Sequence, residues 1–158
     1  MKKLGFAAAV CGILTLLPMV ITTVAVLWFL PDTIPAHYGI SGEVDRWGSK
    51  YESFILPGIS LVFGVAMLLG AWISGRSSRK EVEQGSRIFV IAGNVSLAVF
   101  NVMTLFFLYT SWTQMEYLEG VPEIGLRILF AVIAIMLLVL GAVMPQVKQN
   151  AWFGVGGL

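Results

Sequence analysis

The side chains best suited to chemistry lie in one stretch, residues 31–54, which holds the only histidine of the chain. His37 lies within eight positions of two carboxylates, Glu43 and Asp45. An imidazole oriented by a carboxylate can move protons near neutral pH. A catalytic zinc ion takes three protein ligands, but this spacing fits no zinc motif and no evident nucleophile stands nearby. We therefore predict no catalytic residue and no metal site, with a metal-dependent hydrolase at the outer leaflet kept as an alternative.

Two other roles are open to the same residues. His37 and Asp45 can bond to loop backbone or to each other and hold the shape of the loop. Alternatively, the loop recognises an extracytoplasmic ligand, with aromatic side chains as anchors and charges that set the orientation. On that hypothesis the ligand-binding residues are Asp32, His37, Glu43, Asp45, Trp47 and Lys50.

The stretch that carries these residues is too long for a simple turn and too varied for a flexible linker. Pro31 and Pro35 fix backbone angles, while Gly39 and Gly42 permit tight turns. The pattern predicts a small folded cap rather than a linker.

Hydrophobic spans must position this cap. The chain has 158 residues, is 58% hydrophobic and has a mean hydropathy of +0.87, more than a soluble core of this size could bury. Four apolar runs are long enough to cross a bilayer. We predict an all-α membrane protein that forms one domain over 1–158, with spans at about 4–30, 55–73, 88–112 and 124–144.

The basic residues indicate which side each connection faces. Seven of the ten lie on one side, at Lys2, Lys3, Arg76, Arg79, Lys80, Arg87 and Lys148, against Arg46, Lys50 and Arg127 on the other. Both termini, the loop 74–87 and the tail 145–158 are therefore predicted to be cytoplasmic. The loops 31–54 and 113–123, which hold most of the acidic residues, are predicted to be outside.

Polar residues within the spans favour packing over transport. No Asp, Glu, Lys or His lies deep in a span, so an ion path is disfavoured. Asn94 and Asn101 share one helix face, and Thr15 and Thr22 share another. This spacing favours hydrogen bonds between helices over a ligand-lined cavity.

The remaining charges and the single cysteine limit the partners. A net charge of +1 gives no reason to expect a nucleic-acid partner, and one cysteine cannot form an internal disulfide. The basic run 76–80 indicates contact with membrane lipids, with docking of a cytosolic regulator as an alternative. No cofactor is predicted.

Two segments resemble the SdpI-like family. The first is Leu30-Pro31-Asp32-Thr33-Ile34-Pro35-Ala36-His37 followed by Gly42-Glu43-Val44-Asp45-Arg46-Trp47-Gly48-Ser49-Lys50. The second follows the fourth span and runs from Gly141 to Gly154 with Pro145, Asn150 and Phe153 at the recurring positions. The motif residues matched are Pro31, Pro35, Gly42, Pro145, Asn150, Phe153 and Gly154. The family continues with an Ile-Arg-Thr-Pro stretch and further spans, whereas this sequence ends at Leu158, as expected of a short or truncated member.

The resemblance implies a multi-pass protein of the bacterial inner membrane. Such proteins protect cells from a membrane-active peptide toxin of the sporulation-delaying type, and some relay toxin binding to a repressor. Our leading hypothesis is therefore an immunity protein that sequesters a peptide toxin through the cap, and a signalling role is kept open beside it.

Overall fold

Four helices account for most of the computed structural model, which describes residues 2–74, 80–120 and 123–143. They are α1 (Lys2–Trp28), α2 (Ile55–Ser74), α3 (Lys80–Thr113) and α4 (Glu123–Val143). Each contributes to an apolar stretch of 20 to 25 residues that is long enough to cross a membrane. The predicted four-span, multi-pass membrane fold is confirmed.

Some predicted segments fall outside the described residues or change their bounds. Pro145, Asn150, Phe153, Gly154 and the rest of the tail 145–158 lie outside them, as do residues 75–79 of the loop 74–87. The third helix begins at Lys80, eight residues before the predicted span. Hydropathy marks only where lipid begins, and residues 80–87 contain no proline that would stop the helix earlier.

A proline in the middle of α1 is matched by an asparagine on α3. Pro18 has no N–H, so the carbonyl of Leu14 loses its partner within the helix. The Asn101 Nδ2 donates to that carbonyl at 2.8 Å. Two helical turns away, the Asn94 Nδ2 donates to Ala7 O at 2.9 Å. These contacts agree with the hydrogen bonds between helices that the spacing of Asn94 and Asn101 favoured.

The first three helices form the packed bundle. Gly64 of α2 faces Thr15 of α1 so closely that a Cβ at Gly64 would lie 2.7 Å from the Thr15 Cβ, and Ser60, one turn away, is fully buried. One core cluster joins Cys11, Met67 and Leu97, one residue from each helix. The small residues on α2 are therefore used for packing within the chain.

The fourth helix lies beside this bundle rather than within it. It packs mainly along α3, and none of the residues in its span, Glu123–Ala142, is buried among the described parts of the chain.

Between α1 and α2 the chain forms a β-hairpin, which the sequence analysis did not assign. Strands β1 (Thr33–Tyr38) and β2 (Val44–Ser49) pair antiparallel, with irregular register around His37. A 3-10 helix, Lys50–Phe54, then leads into α2. β1 turns Ile34 and Pro35 inward, where both are buried, so the hairpin lies over one end of the bundle.

Candidate functional site: a lid built from two loops

The hairpin is joined to the connection between α3 and α4. The backbone N–H of Val44 donates to Glu116 O at 2.9 Å, and that of Leu118 donates to Gly42 O at 2.8 Å. These bonds form a short bridge in which Glu43 lies opposite Tyr117. Residues 114–118 thus extend the tip of the hairpin, and we call residues 31–54 together with 114–120 the lid.

Two side chains reinforce this joint nearer the membrane. The Tyr38 hydroxyl donates to Met115 O at 2.9 Å, and the Gln114 Nε2 donates to Thr33 O at 2.7 Å. Burial raises the pKa of the Tyr38 phenol, so it remains a donor at neutral pH. The two connections at this end of the bundle therefore form one folded unit.

Two ion pairs and a hydrogen bond between His37 and Asp45 brace the lid. The His37 Nδ1 lies 2.6 Å from Asp45 Oδ1, and the Lys50 Nζ lies 2.8 Å from Asp32 Oδ1. The third pair joins Arg46 to Glu52 at 2.8 Å. Four of the six predicted ligand-binding residues therefore form two pairs, His37 with Asp45 and Lys50 with Asp32.

These contacts favour the ionised forms of the carboxylates. The hydrogen bond and the charge of Lys50 lower the pKa of Asp32. The hydrogen bond of Arg46 lowers the pKa of Glu52, assisted by the Ser49 N–H. Arg46 and Asp32 are exposed to solvent and their partners are only half-buried, so each pair contributes little to stability by itself.

The entry into the 3-10 helix explains why position 48 is a glycine. Ser49 and Glu52 form a capping box, in which the Ser49 N–H donates to Glu52 Oε1 at 3.2 Å. A Cβ at Gly48 would lie 2.7 Å from Glu52 Cδ and 2.8 Å from the Ala36 Cβ. Only glycine leaves room for the glutamate that also pairs with Arg46.

The other predicted residues have different surroundings. Glu43 is exposed beside Tyr117 rather than beside His37, and Trp47 is 43% exposed on β2 opposite Pro35. Gly42 has φ +81° at the hairpin tip, as a predicted turn glycine should. The described residues contain no group of three His, Cys, Asp or Glu side chains placed to hold a metal.

Sequence reasoning missed several residues of the lid. No role was predicted for Gln114 or Met115, and the pairing of Arg46 with Glu52 was not predicted. The Ser49-x-x-Glu52 spacing is a capping-box signal that could have been read from the sequence. The contacts to Gln114 and Met115 span about eighty residues, and no local pattern indicates them.

The tip of the lid carries carboxylates without a charged partner. Among the described residues no ion pair involves Glu43, Glu116 or Glu119, and all three are exposed. Ile40 at the hairpin tip is fully exposed, and Tyr117 is 52% exposed. We call these five residues the acidic tip, which presents negative charge beside apolar surface.

Under the hairpin, a cleft of about 250 Å³ opens between β1, β2, the 3-10 helix, α2 and α3. Its lining is mostly apolar and includes Ile34, Leu56 and Phe107, together with the partly exposed pair Arg46 and Glu52. The Ser53 hydroxyl, which also lines it, is buried and has no hydrogen-bond partner among the described residues.

Comparison with known proteins finds matches to part of the chain, and none of them names an activity. Residues 13–61 match a family described as a domain of unknown function, DUF1648. An uncharacterized protein of Archaeoglobus fulgidus is 36% identical over 62 residues, which cover 34% of this chain and 34% of that protein. The chain thus matches about a third of this relative's length. No solved structure matches. The DUF1648 match contains the hairpin, the 3-10 helix and most of α1.

Proposed function

We propose that this chain is an immunity protein of the bacterial inner membrane that binds a membrane-active peptide toxin at the lid and sequesters it. The single observation that carries the proposal is the joint between the two connections. It brings Glu43 of one and Glu116 of the other to neighbouring positions, next to exposed apolar side chains. The resemblance of the first segment to the SdpI-like family supports the class of ligand.

The charges at this end of the bundle suit a basic, apolar peptide. Residues 29–54 and 113–127 hold seven carboxylates, at Asp32, Glu43, Asp45, Glu52, Glu116, Glu119 and Glu123, against the three cations Arg46, Lys50 and Arg127. The cations are all paired with carboxylates. Of the four carboxylates that no Lys or Arg pairs with, three belong to the acidic tip, where they attract basic groups and speed encounter.

The contacts within the lid suggest two different roles for the six residues predicted to bind the ligand. Asp32, His37, Asp45 and Lys50 hold the lid in shape, and Glu43 with Trp47 remains for contact with the peptide. The apolar part of the toxin would lie along the bundle below. A groove of about 340 Å³ between α1 and α3, lined by residues that include Ile21, Ala25 and Leu105, offers one such surface.

The mechanism is binding rather than chemistry. A peptide held at the lid is withdrawn from the pool that assembles in the bilayer. The distribution of Lys and Arg favours a lid that faces outward, where such a toxin arrives. Signalling to a cytosolic regulator would use the loop 74–87, of which residues 75–79 lie outside the described part of the chain.

The test is direct binding of sporulation-delaying peptide to the purified protein in nanodiscs. We expect saturable binding that weakens as salt rises, and the double variant Glu43→Gln/Glu116→Gln to bind about three- to tenfold more weakly, as loss of two exposed charge contacts implies. Glu123→Gln is the matched control, because it removes one carboxylate from the same end of the bundle outside the lid. Absence of binding by the unaltered protein, or equal binding by the double variant, would refute the proposal.

A further inference from the structure

The cleft under the hairpin is bounded by the ends of two helices that are long and apolar enough to span a membrane. Its walls come from the first turn of α2, at Ile55 and Leu56, and from the last two turns of α3, at Phe107 and Ser111. Ile55 is 61% exposed. Because these are the ends of membrane spans, lipid is the molecule present in greatest excess at this cleft.

The lining combines the two kinds of surface that a phospholipid presents. Ile34, Leu56 and Phe107 are apolar, and Arg46 and Glu52 form a partly exposed ion pair. A guanidinium has five donors, and one nitrogen of Arg46 contacts Glu52, so other donors remain for a phosphate. Glu52 can accept hydrogen bonds from a primary ammonium.

The Ser53 hydroxyl is a second, independent indication of a ligand. Ser53 lines the cleft, and its hydroxyl oxygen is buried without a hydrogen-bond partner among the described residues. A buried polar atom in a membrane protein is costly unless a partner satisfies it. An ester or phosphate oxygen that reaches Ser53 would accept this hydrogen bond.

We propose that this cleft is a binding site for a zwitterionic phospholipid with a primary ammonium, such as phosphatidylethanolamine. Arg46 binds the phosphate and Glu52 binds the ammonium. Ser53 donates to an ester or phosphate oxygen, and the apolar lining residues contact the first methylene groups. The bound lipid supports the hairpin from below and fixes it to the bilayer. The site does not depend on the peptide bound at the acidic tip.

The experiment is native mass spectrometry of the purified, delipidated full chain, titrated with phosphatidylethanolamine or phosphatidylglycerol. We expect one phosphatidylethanolamine to bind at least about tenfold more tightly than phosphatidylglycerol, which has no ammonium for Glu52. Arg46→Gln should weaken this binding by about tenfold or more, the size expected for a charged hydrogen bond. The matched control Arg127→Gln, at an arginine–glutamate pair away from the cleft, should leave it unchanged.

Ser53→Ala provides a milder variant that keeps the ion pair and the packing. It should weaken phosphatidylethanolamine binding by about threefold, as loss of a neutral hydrogen bond implies. Equal affinity for the two lipids, or equal losses in Arg46→Gln and Arg127→Gln, would overturn the proposal. Displacement of the bound lipid by an equimolar amount of sporulation-delaying peptide would also overturn it, because the cleft would then belong to the peptide.

Discussion

At the scale of single residues, the charged side chains of the lid fall into two groups with different physical roles. Asp32 and Asp45 lie next to cations or an imidazole of the same hairpin, so binding a ligand through them would require breaking an existing contact. Glu43 and Glu116 have no such partner among the described residues. A ligand gains most from the carboxylates that are not already paired.

Gly48 is the residue whose replacement should disturb the lid most selectively. In Gly48→Ala the new methyl group meets Glu52 and Ala36, so the capping box and the Arg46 pair must shift. We expect a cost of about 1–3 kcal/mol to the lid and faster hydrogen exchange in residues 33–54. The control is Gly58→Ala, where a Cβ meets nothing within 4 Å. Equal exchange in the two variants would show that the space at Gly48 is not needed.

Acid should loosen the same region. Lys50 lowers the pKa of Asp32 and Arg46 lowers that of Glu52 in the folded chain. Their stabilisation is therefore complete above the unfolded values, 3.8 and 4.5, and is lost as the pH falls through the lower folded values. Fluorine NMR of 5-fluorotryptophan at Trp47 should show a transition whose midpoint lies below the unfolded pKa values of these two carboxyl groups. A transition above pH 4.5 would show instead that these two pairs do not control the lid.

Part of this arrangement was predictable from residue types. A contact between His37 and Asp45 was among the roles considered, since both lie in one short loop. The pairing of Arg46 with Glu52 depends on the turn into the 3-10 helix, which places them on one side. Sequence spacing alone does not determine such a turn.

At the scale of elements, the kind of structure was easier to predict for helices than for the hairpin. Long uncharged runs indicate spans by length alone, and all four spans were found. The strands were not predicted, because Thr33–Tyr38 contains a proline and β2 places charged and polar residues on its exposed side. The hairpin is held by Ile34 and Pro35 buried below it and by residues 114–118 beside it, which are distant in sequence.

The match between Pro18 and Asn101 gives a prediction about α1 and α3. Asn101→Leu leaves the Leu14 carbonyl without a donor inside the membrane, and we expect a loss of about 0.6–2 kcal/mol in the free energy of unfolding. In a Pro18→Ala background the new N–H at position 18 can donate to Leu14 O, so the same change should cost less. Steric trapping in bilayers, or unfolding by a denaturing detergent, would measure the loss in each background.

Asn94→Leu is the control for this pair. Its acceptor, Ala7 O, lies in a part of α1 without proline, where the helix supplies another donor. The loss on Asn94→Leu should therefore be independent of Pro18. If the loss on Asn101→Leu is also the same with and without Pro18, the Asn101 contact does not compensate for the proline.

At the scale of the whole molecule, the lid joins parts of the chain that are about seventy residues apart and so connects the two halves of the membrane domain. The DUF1648 match ends at residue 61. It therefore omits residues 114–120, the part of the lid that lies between α3 and α4. This connection could not be predicted, because the sequence indicates only that both loops lie on one side of the membrane and not that they touch.

A disulfide can test the joint. Glu43 and Tyr117 are opposite each other in the bridge, and paired residues in antiparallel strands have Cα separations that suit a disulfide. In a Cys11→Ala background, Glu43→Cys/Tyr117→Cys should form an intramolecular bond on mild oxidation, detected as a loss of two hydrogens by mass spectrometry. Glu43→Cys/Glu119→Cys should react more slowly. Only intermolecular bonds in the first pair would mean that the loops are separate.

The most direct measurement of the central claim is labelling of the lid in intact bacteria. Ile40, fully exposed at the hairpin tip, is replaced by cysteine in the Cys11→Ala background and treated with a membrane-impermeant maleimide, with and without sporulation-delaying peptide. The account predicts labelling of intact cells that the peptide slows severalfold. Labelling only after the cells are opened, or a rate that the peptide does not change, would contradict it.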